Sequence, residues 1–96
     1  MIVVAAHITL KEGLEAEFIK KAQGCIEQTR KEEGCISYAL FSSTEDASKL
    51  VFLEEWESKA ALDAHLQTPH LKAFSGETGA LRDGPSDLCI YEAEKL

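Results

Sequence analysis

The first residues of the chain are apolar on both of the faces that a β-strand would present. Side chains along an extended strand alternate between its two faces. One face of residues 2–10 is entirely aliphatic, and the other carries Val3, Ala5, His7 and Thr9. An antiparallel sheet with one face in water is expected to alternate apolar and polar side chains. This pattern therefore predicts a sheet that is covered on both faces.

A second segment, residues 49–57, repeats the two-sided pattern, since Leu50 and Phe52 oppose Val51 and Leu53. The helices predicted below can cover only one face of such a sheet. The simplest cover for the open face is the same face of a second copy. The sequence therefore predicts a homodimer that forms through the sheet faces.

The order of the predicted elements defines an α+β fold. β-Branched runs bounded by turn residues predict strands, and apolar residues at helical spacing predict helices. The predicted order is a strand at 2–10, a helix at 14–29, strands at 35–43 and 49–57, a helix at 58–67, a second helix from residue 68, and a strand at 86–94. The sum is β-α-β-β-α-β, the ferredoxin-like arrangement. A chain of 96 residues without a linker predicts a single domain, residues 1–96.

Individual residues predict where these helices begin and end. Ser58 is expected to cap the first short helix, and Thr68 followed by Pro69 is expected to start another. Gly34 is placed to end the long helix in a left-handed conformation, and Gly24 inside that helix suggests close packing. The region before the last strand is therefore expected to hold two helices with a break between them.

The charge of the chain restricts its partners. Lys and Arg number 10 against 17 Asp and Glu, which gives a net charge of -7. Nucleic acids and anionic membrane surfaces are bound by clustered basic residues, so neither is an expected partner. The opening run is too short to span a bilayer and has no basic segment before it, so we expect a strand there rather than a signal peptide.

The cysteines of the chain, Cys25, Cys35 and Cys89, are odd in number and far apart in sequence. This pattern favours neither a disulfide framework nor a zinc cluster. Cysteines that remain reduced are typical of the cytoplasm, which is therefore the expected location.

The densest group of candidate site residues lies in residues 54–74, which read EEWESKAALDAHLQTPHLKAF. Glu54 and Trp56 are two apart on a strand and share one of its faces. His65 has helical spacing from the apolar residues before it and is expected to point toward the sheet. His70, at the start of the next helix, is expected to lie nearer solvent. The segment therefore places a histidine opposite a Glu-Trp strand face.

The spacing of the histidines does not favour a metal site. Pro69 interrupts the helix between His65 and His70, so the two are not four apart on one helix. A third ligand would have to come from His7, far away in the chain. Structural roles stay open for the same residues: the core for Trp56, the core edge for His65 and the surface for His70.

The stretches EEGCISYALF and FLEEWESKAALDAHLQTPHLKAF resemble the antibiotic biosynthesis monooxygenase family, in particular its small quinol-monooxygenase-like bacterial members. The resemblance covers nearly the whole chain, from the first strand to Gly84 and Pro85 before the last one. It implies a ferredoxin-like protomer that forms a dimeric α+β barrel through its sheets.

The resemblance also implies an activity, the oxidation of a phenol or quinol by O2 without a cofactor or metal. His65 would be the base that removes a phenolic proton, because the ordinary pKa of histidine, about 6.5, suits that role. His7 would be a second proton acceptor or an orienting group, and Glu54 would orient a histidine. The residues that the resemblance assigns to substrate binding are Tyr38, Glu54, Trp56 and Phe74.

Haem-degrading members of the family differ from this chain at the positions that matter for haem. They carry an asparagine, a tryptophan and a haem-ligating histidine where this chain has His7, His65 and Ser75. Because the haem ligand is replaced by serine, we do not expect haem oxygenation.

Two other functions remain as alternatives. Members that isomerise a phosphorylated quorum-signal sugar share the T-P-H region, and such a substrate would need cationic groups at the cavity. Lys59 and Lys72 lie near the motif, and Arg82 lies farther along the sequence. The other alternative is a stress-related protein that binds a small molecule without turning it over.

Overall fold

The computed structural model describes all residues from 1 to 96 and contains one four-stranded sheet with three α-helices. Its elements are β1 Ile2–Thr9, α1 Glu15–Arg30, β2 Cys35–Ser42, β3 Lys49–Trp56, α2 Lys59–Leu66, α3 Pro69–Thr78, a short 3-10 helix Gly79–Leu81, and β4 Asp87–Glu92. The predicted ferredoxin-like α+β fold is confirmed, with its second helix divided into α2 and α3. None of the helices is long and apolar enough to cross a membrane.

The sheet is antiparallel throughout, with the strand order β2-β3-β1-β4. The predicted hairpin is confirmed, because β2 pairs with β3 directly. β1 lies between β3 and β4, so Ala6 pairs with Phe52 on one side and with Leu88 on the other. The first strand is therefore central, and side chains from all four strands meet on each face of the sheet.

The two faces of the sheet differ in their surroundings. Val4 and Trp56 lie on the face that the helices cover and are fully buried. Phe18 of α1 is also fully buried and packs against Phe52 of β3. The opposite face, which we call the open face, carries Phe41 of β2 and Leu53 of β3, which are 53% and 45% exposed. The alternation predicted from the sequence is thus observed, and the apolar open face has no cover within one chain.

The predicted helix starts after β3 are confirmed. The Ser58 side chain accepts a hydrogen bond from the backbone N–H of Ala61, and the Thr68 side chain accepts one from Leu71. Pro69 occupies the first turn of α3, where its missing N–H costs nothing. The break at Thr68 therefore turns the chain between two capped helices.

The two glycine predictions have different outcomes. Gly34 has a φ of +84°, the left-handed conformation that was expected, but it lies just before β2 rather than at the end of α1. An added Cβ there would lie 2.5 Å from the Cβ of Ala61, so this turn packs tightly on α2. The prediction for Gly24 was wrong, since nothing lies within 4 Å of an added Cβ. Gly24 lies on the exposed side of α1, so a glycine within a helix did not indicate close packing at this position.

Candidate active site

A cavity of about 160 Å³ lies between the helix-covered face of the sheet and helices α2 and α3. Its walls are mainly apolar, with a few titratable side chains among them. The lining residues are Ala6, Ile8, Tyr38, Phe52, Glu54, His65, Leu66, Leu71, Phe74, Ser75, Arg82, Ser86 and Leu88. A groove of about 240 Å³ runs along the sheet edge elsewhere, but no histidine or carboxylate lines it. The candidate chemistry therefore belongs to the smaller cavity.

His65 is the buried histidine of this cavity. It lies in the last turn of α2, and its side chain is 2% exposed. Its Nδ1 lies 2.8 Å from Oε2 of Glu32, and its Nε2 has no hydrogen-bond partner in the chain. The ring packs against Trp56 and Tyr38, with centroid distances of 4.7 and 5.4 Å. A carboxylate thus holds one ring nitrogen, which leaves the other free as an acceptor.

Burial sets the protonation state of His65. Desolvation lowers its pKa below the ordinary value, and the hydrogen bond and charge of Glu32 act in the opposite direction. The lowered pKa keeps the ring neutral at pH 7. In that state Nδ1–H donates to Glu32, and Nε2 carries the lone pair. This is the state that a general base requires.

His70 is nearer solvent than His65, as predicted, but it also lies beside His65, which the sequence spacing did not indicate. Nε2 of His70 lies 2.7 Å from the same Oε2 of Glu32, and the side chain is only 24% exposed. The reason is the break at Thr68, which turns α3 so that its first turn faces the same carboxylate as the last turn of α2. Sequence spacing treated Pro69 as a separator, whereas in the fold the turn brings the two rings together.

The same three side chains offer a set of metal ligands. One ligand atom each from Glu32, His65 and His70 lies within 4.8 Å of the others. The expectation that a third ligand would have to come from His7 was therefore wrong, because Glu32 supplies it from the loop after α1. Two imidazoles and a carboxylate are a donor set that zinc and related ions take. In this arrangement both rings instead contact the shared oxygen at hydrogen-bond distance.

Glu54 forms a second buried carboxyl group in the cavity. Its Oε1 accepts a hydrogen bond of 2.9 Å from Nε1–H of Trp56. Burial raises the pKa of Glu54 to about 7, although the bond from Trp56 acts to lower it. The expectation that Glu54 orients a histidine was wrong, since that contact is made by Glu32. Glu54 and Trp56 share a strand face, so the carboxyl group of Glu54 binds the Trp56 side chain beside it rather than a histidine.

The aromatic residues assigned to the substrate lie around the cavity in different ways. Tyr38 and Phe74 line it, and burial raises the pKa of Tyr38, so its hydroxyl stays protonated. Trp56 is fully buried and is not part of the lining. It lies behind His65 and supports the ring. Trp56 was expected to form a wall of the cavity, but in the structure it does not line it.

His7 is not brought together with the other candidates. Its neighbours Ala6 and Ile8 line the cavity, so strand alternation directs His7 to the open face, where it is exposed. Within one chain the sheet separates His7 from His65. The proton-accepting role expected of His7 has no support from this arrangement.

Glu32 is a site residue that sequence reasoning missed, and Arg82 was considered only as a distant cation for the isomerase alternative. Glu32 stands in a run of acids after α1, where nothing in the pattern distinguishes it from Glu33. Arg82 appeared distant from the motif, but the backbone bridge between Leu10 and Arg82 brings it to the sheet. Its guanidinium reaches the cavity and lies over the Phe18 and Phe74 rings.

The fold and the site together define a class of protein: a small ferredoxin-like α+β domain with a carboxylate-held histidine beside an aromatic cavity. The family model described as "Antibiotic biosynthesis monooxygenase" matches residues 1–77. The chain belongs to this family.

Curated relatives extend the comparison. The Bacillus subtilis "Putative monooxygenase YcnE" is 34% identical over 96% of this chain and 97% of its own length. The Escherichia coli "Probable quinol monooxygenase YgiN" is 50% identical over an aligned stretch that covers 47% of this chain and 51% of that protein. The Synechocystis "Uncharacterized protein sll1783" is 38% identical over 95% of this chain. The chain spans only 62% of the length of this last relative.

A solved structure shares the fold at full length. The crystal structure of a conserved protein from Methanosarcina mazei has a TM-score of 0.92 and is 32% identical. The match covers 97% of this chain and 92% of the other. A second solved structure, described as an antibiotic biosynthesis monooxygenase, has a TM-score of 0.91 and is 28% identical over 99% of this chain and 100% of its own.

Proposed function

We propose that this protein is a monooxygenase that oxidises a phenolic or quinol small molecule with O2 and uses no resident cofactor. One observation carries the proposal: His65 has one ring nitrogen held by Glu32 and the other free beside an aromatic-lined cavity. The family match and the quinol monooxygenase name of the Escherichia coli relative support it.

The first step is the removal of a phenolic proton. Nε2 of His65 accepts the proton, while Nδ1–H keeps its hydrogen bond to Glu32. The carboxylate stabilises the imidazolium that forms, as in other carboxylate-histidine pairs. The pair therefore makes a substrate anion inside an apolar cavity, where the anion is a stronger reductant than the protonated phenol.

The substrate anion then supplies the electrons for the reaction with O2. It transfers one electron to O2, the two radicals combine in a C–O bond, and the ring hydroperoxide loses water to leave a carbonyl. For a quinol the sum is quinol plus O2 giving hydroxyquinone plus water. Burial raises the pKa of Glu54 to about 7, so its carboxyl group is protonated below that pH. Glu54 also lines the cavity, so it can protonate the oxygen that leaves as water.

The test is oxygen consumption by chelator-treated protein with a panel of hydroquinones and polyhydroxylated naphthalenes. We expect uptake above the autoxidation background and one labelled atom from ¹⁸O2 in the product. His65→Gln should lower the rate by roughly 100-fold or more, which is the usual size of a general-base contribution. His7→Gln in parallel tests the role that the resemblance assigned to that residue.

Two results would count against the proposal. Uptake that is unchanged in His65→Gln would remove the base from the mechanism. Uptake that disappears on chelation and returns with a divalent metal would mean that Glu32, His65 and His70 work as a metal centre. The chelator is therefore an essential part of the measurement.

One observation favours a second candidate, the isomerase of a phosphorylated sugar. Such a substrate needs a cation in the cavity, and Arg82 lines it. The cavity walls are otherwise mainly apolar and aromatic, with Phe52, Phe74 and Tyr38 among them, which suits an aromatic ring better than a polar sugar. The oxygenase therefore remains the primary proposal.

We also propose that the protein is a homodimer in the cytoplasm. The apolar open face, with Phe41, Leu53 and Tyr91 each about half exposed, supports pairing through the sheets. The cysteines are unpaired, which suits a reducing compartment. A dimer of this kind would pack two open faces together and leave each cavity on the opposite, helix-covered side.

A further inference from the structure

Arg82 lines the candidate active site but has no role in the proposed reaction. Its guanidinium lines the cavity that holds His65, and it is partly buried. Nη1 donates a hydrogen bond to the Ser86 hydroxyl, and Nη2 donates one of 3.2 Å to the Thr78 hydroxyl. A guanidinium has five N–H donors, so most of its donors are left over. Among them, Nε is fully buried and has no hydrogen-bond partner.

No side chain of the protein neutralises this cation. The ion pairs of the chain are Lys59 with Asp63 and the contacts of Glu32 with the two histidines, and none includes Arg82. Burial lowers the pKa of Arg82, and Tyr38 is the one titratable neighbour whose charge would act against this shift. Tyr38 is itself kept protonated by burial. A cation that is partly withdrawn from water thus has no carboxylate within ion-pair distance.

The aromatic rings beside Arg82 stabilise it only in part. Its guanidinium carbon lies 5.7 Å from the ring centre of Phe18 and 5.9 Å from that of Phe74. Contacts of this kind attract the positive charge but accept no strong hydrogen bond. Burying charge without a paired anion is costly, and proteins ordinarily supply a carboxylate in such a place. The missing partner is therefore expected from outside the chain.

We infer that the substrate carries an anionic substituent, which pairs with Arg82 while the phenolic oxygen faces His65. This inference rests on the proposed function for the reacting group. The cavity of about 160 Å³ is close to the roughly 150 Å³ of an apolar cavity that takes up one benzene. The substrate class is accordingly a single-ring phenolic or quinolic acid, with a planar carboxylate that matches the guanidinium fork.

The experiment is a binding measurement without oxygen. Quenching of Trp56 fluorescence or calorimetry under nitrogen compares 2,5-dihydroxybenzoate with its neutral amide, 2,5-dihydroxybenzamide. The wild-type protein should bind the acid about ten- to a hundred-fold more tightly, which is the usual size of a charge-assisted hydrogen bond in affinity. In Arg82→Gln this ratio should fall to near one, because the amide never used the charge.

A matched control removes the same charge elsewhere. Lys72→Gln, at an exposed position of α3 outside the cavity lining, should leave the ratio of acid to amide unchanged. Should Arg82→Gln fail to fold, the wild-type ratio is still decisive. A shift of the Arg82 Nε–H signal in nitrogen-15 NMR on addition of the acid, but not of the amide, then replaces the variant.

Several outcomes would overturn the inference. These are equal binding of acid and amide by wild type, a ratio that survives Arg82→Gln, and no binding of the acid at millimolar concentration. Ribose 5-phosphate serves as a further ligand. If it binds more tightly than the aromatic acid and depends on Arg82, the assignment of an aromatic acid fails and the sugar-phosphate alternative gains.

The binding measurement tests this inference and the oxygen-uptake measurement tests the proposed function, so either one can fail without the other. Acid binding that depends on Arg82, without any oxygen uptake, would keep the anion site and remove the oxygenase. Uptake with neutral hydroquinones, without preference for the acid, would keep the oxygenase and remove the anion site.

Discussion

Glu32 is the residue on which the candidate site depends most, since its Oε2 contacts both His65 and His70. Replacing it by glutamine removes the charge that stabilises the His65 imidazolium and can reverse the hydrogen bond that fixes the tautomer. We expect Glu32→Gln to lower the rate of oxygen uptake by roughly 100-fold. Steady-state oxygen electrode measurements, with stability monitored in parallel, provide the check.

The neighbouring acid offers a matched control for this prediction. Glu33 is adjacent and exposed, and it makes no hydrogen bond to a histidine. Glu33→Gln should keep the wild-type rate within about twofold, as is usual for a surface change away from a site. Equal losses in the two variants would mean that net charge, rather than the contact to His65, determines the rate.

Glu54 gives the site a signature in the pH dependence of stability. Its pKa is raised from 4.5 to about 7, so the folded protein holds a proton that the unfolded chain releases near pH 4.5. Wild type therefore loses stability relative to Glu54→Gln as the pH rises from about 4.5 to 7. Between pH 5 and pH 8 the free energy of unfolding of wild type should therefore fall by about 2–3 kcal/mol relative to that of Glu54→Gln.

Urea unfolding at several pH values measures this difference, and Glu57→Gln at an exposed position is the control. The difference between wild type and Glu57→Gln should not change with pH. A constant offset for Glu54→Gln would show that the carboxyl ionises in the folded protein as it does in water.

Sequence pattern reached part of the site and missed the rest for a physical reason. His65 and Glu54 carry a local signal, because strand and helix periodicity fix the side on which each residue lies. Glu32 meets His65 across 33 positions of sequence, and the turn at Thr68 sets the place of His70. Such contacts depend on how the elements pack in three dimensions, which the periodicity of a single element does not encode.

At the scale of elements, the strands and helices follow signals that are local. The alternation in β1 and β3, the Ser58 and Thr68 caps, and Pro69 at the start of α3 were all readable from the sequence. The ends were less accurate: the last strand was predicted at 86–94 and is Asp87–Glu92. Strand ends depend on where partner strands stop, so they are set by the sheet and not by the segment.

The contrast between two glycines tests how the loop that holds Glu32 is built. Gly34→Ala forces a left-handed residue and drives its Cβ into Ala61, so it should cost about 3 kcal/mol or more in the free energy of unfolding. Gly24→Ala adds a methyl group in open space on a helix and should stabilise by about 0.5–1 kcal/mol. Chemical denaturation of both variants is the measurement.

The opposite signs matter more than the magnitudes. If Gly34→Ala were neutral, the turn before β2 would be free to relax, and the close packing of this turn on α2 would not be what positions Glu32. A loss of stability in Gly24→Ala would mean that a second surface covers the exposed side of α1.

At the scale of the whole molecule, the open face determines the expected assembly. Leu53 lies on β3, near the middle of this face, and is 45% exposed. Leu53→Asp would place a charge between the two sheets, so we expect it to convert a dimer to a monomer in size-exclusion chromatography with light scattering. Ile19→Asp, on α1 at a similarly exposed position, should leave the dimer intact.

A monomeric wild type at micromolar concentration would contradict this prediction. It would also require another explanation for the half-exposed Phe41 and Tyr91. The order of the elements along the chain was predictable from the sequence pattern, but the partner of the open face was inferred only from what one chain leaves uncovered.

The carboxylate shared by two histidines has a consequence for repeated turnover. A base enclosed in the protein must discharge each proton that it captures before it can act again. His65 is 2% exposed, His70 is 24% exposed, and both touch the same oxygen of Glu32. That oxygen bridges an enclosed ring to one that meets bulk water. A positive charge gained by the enclosed ring can therefore be stabilised through Glu32 by a partly exposed second ring, and neither of these two groups lines the cavity.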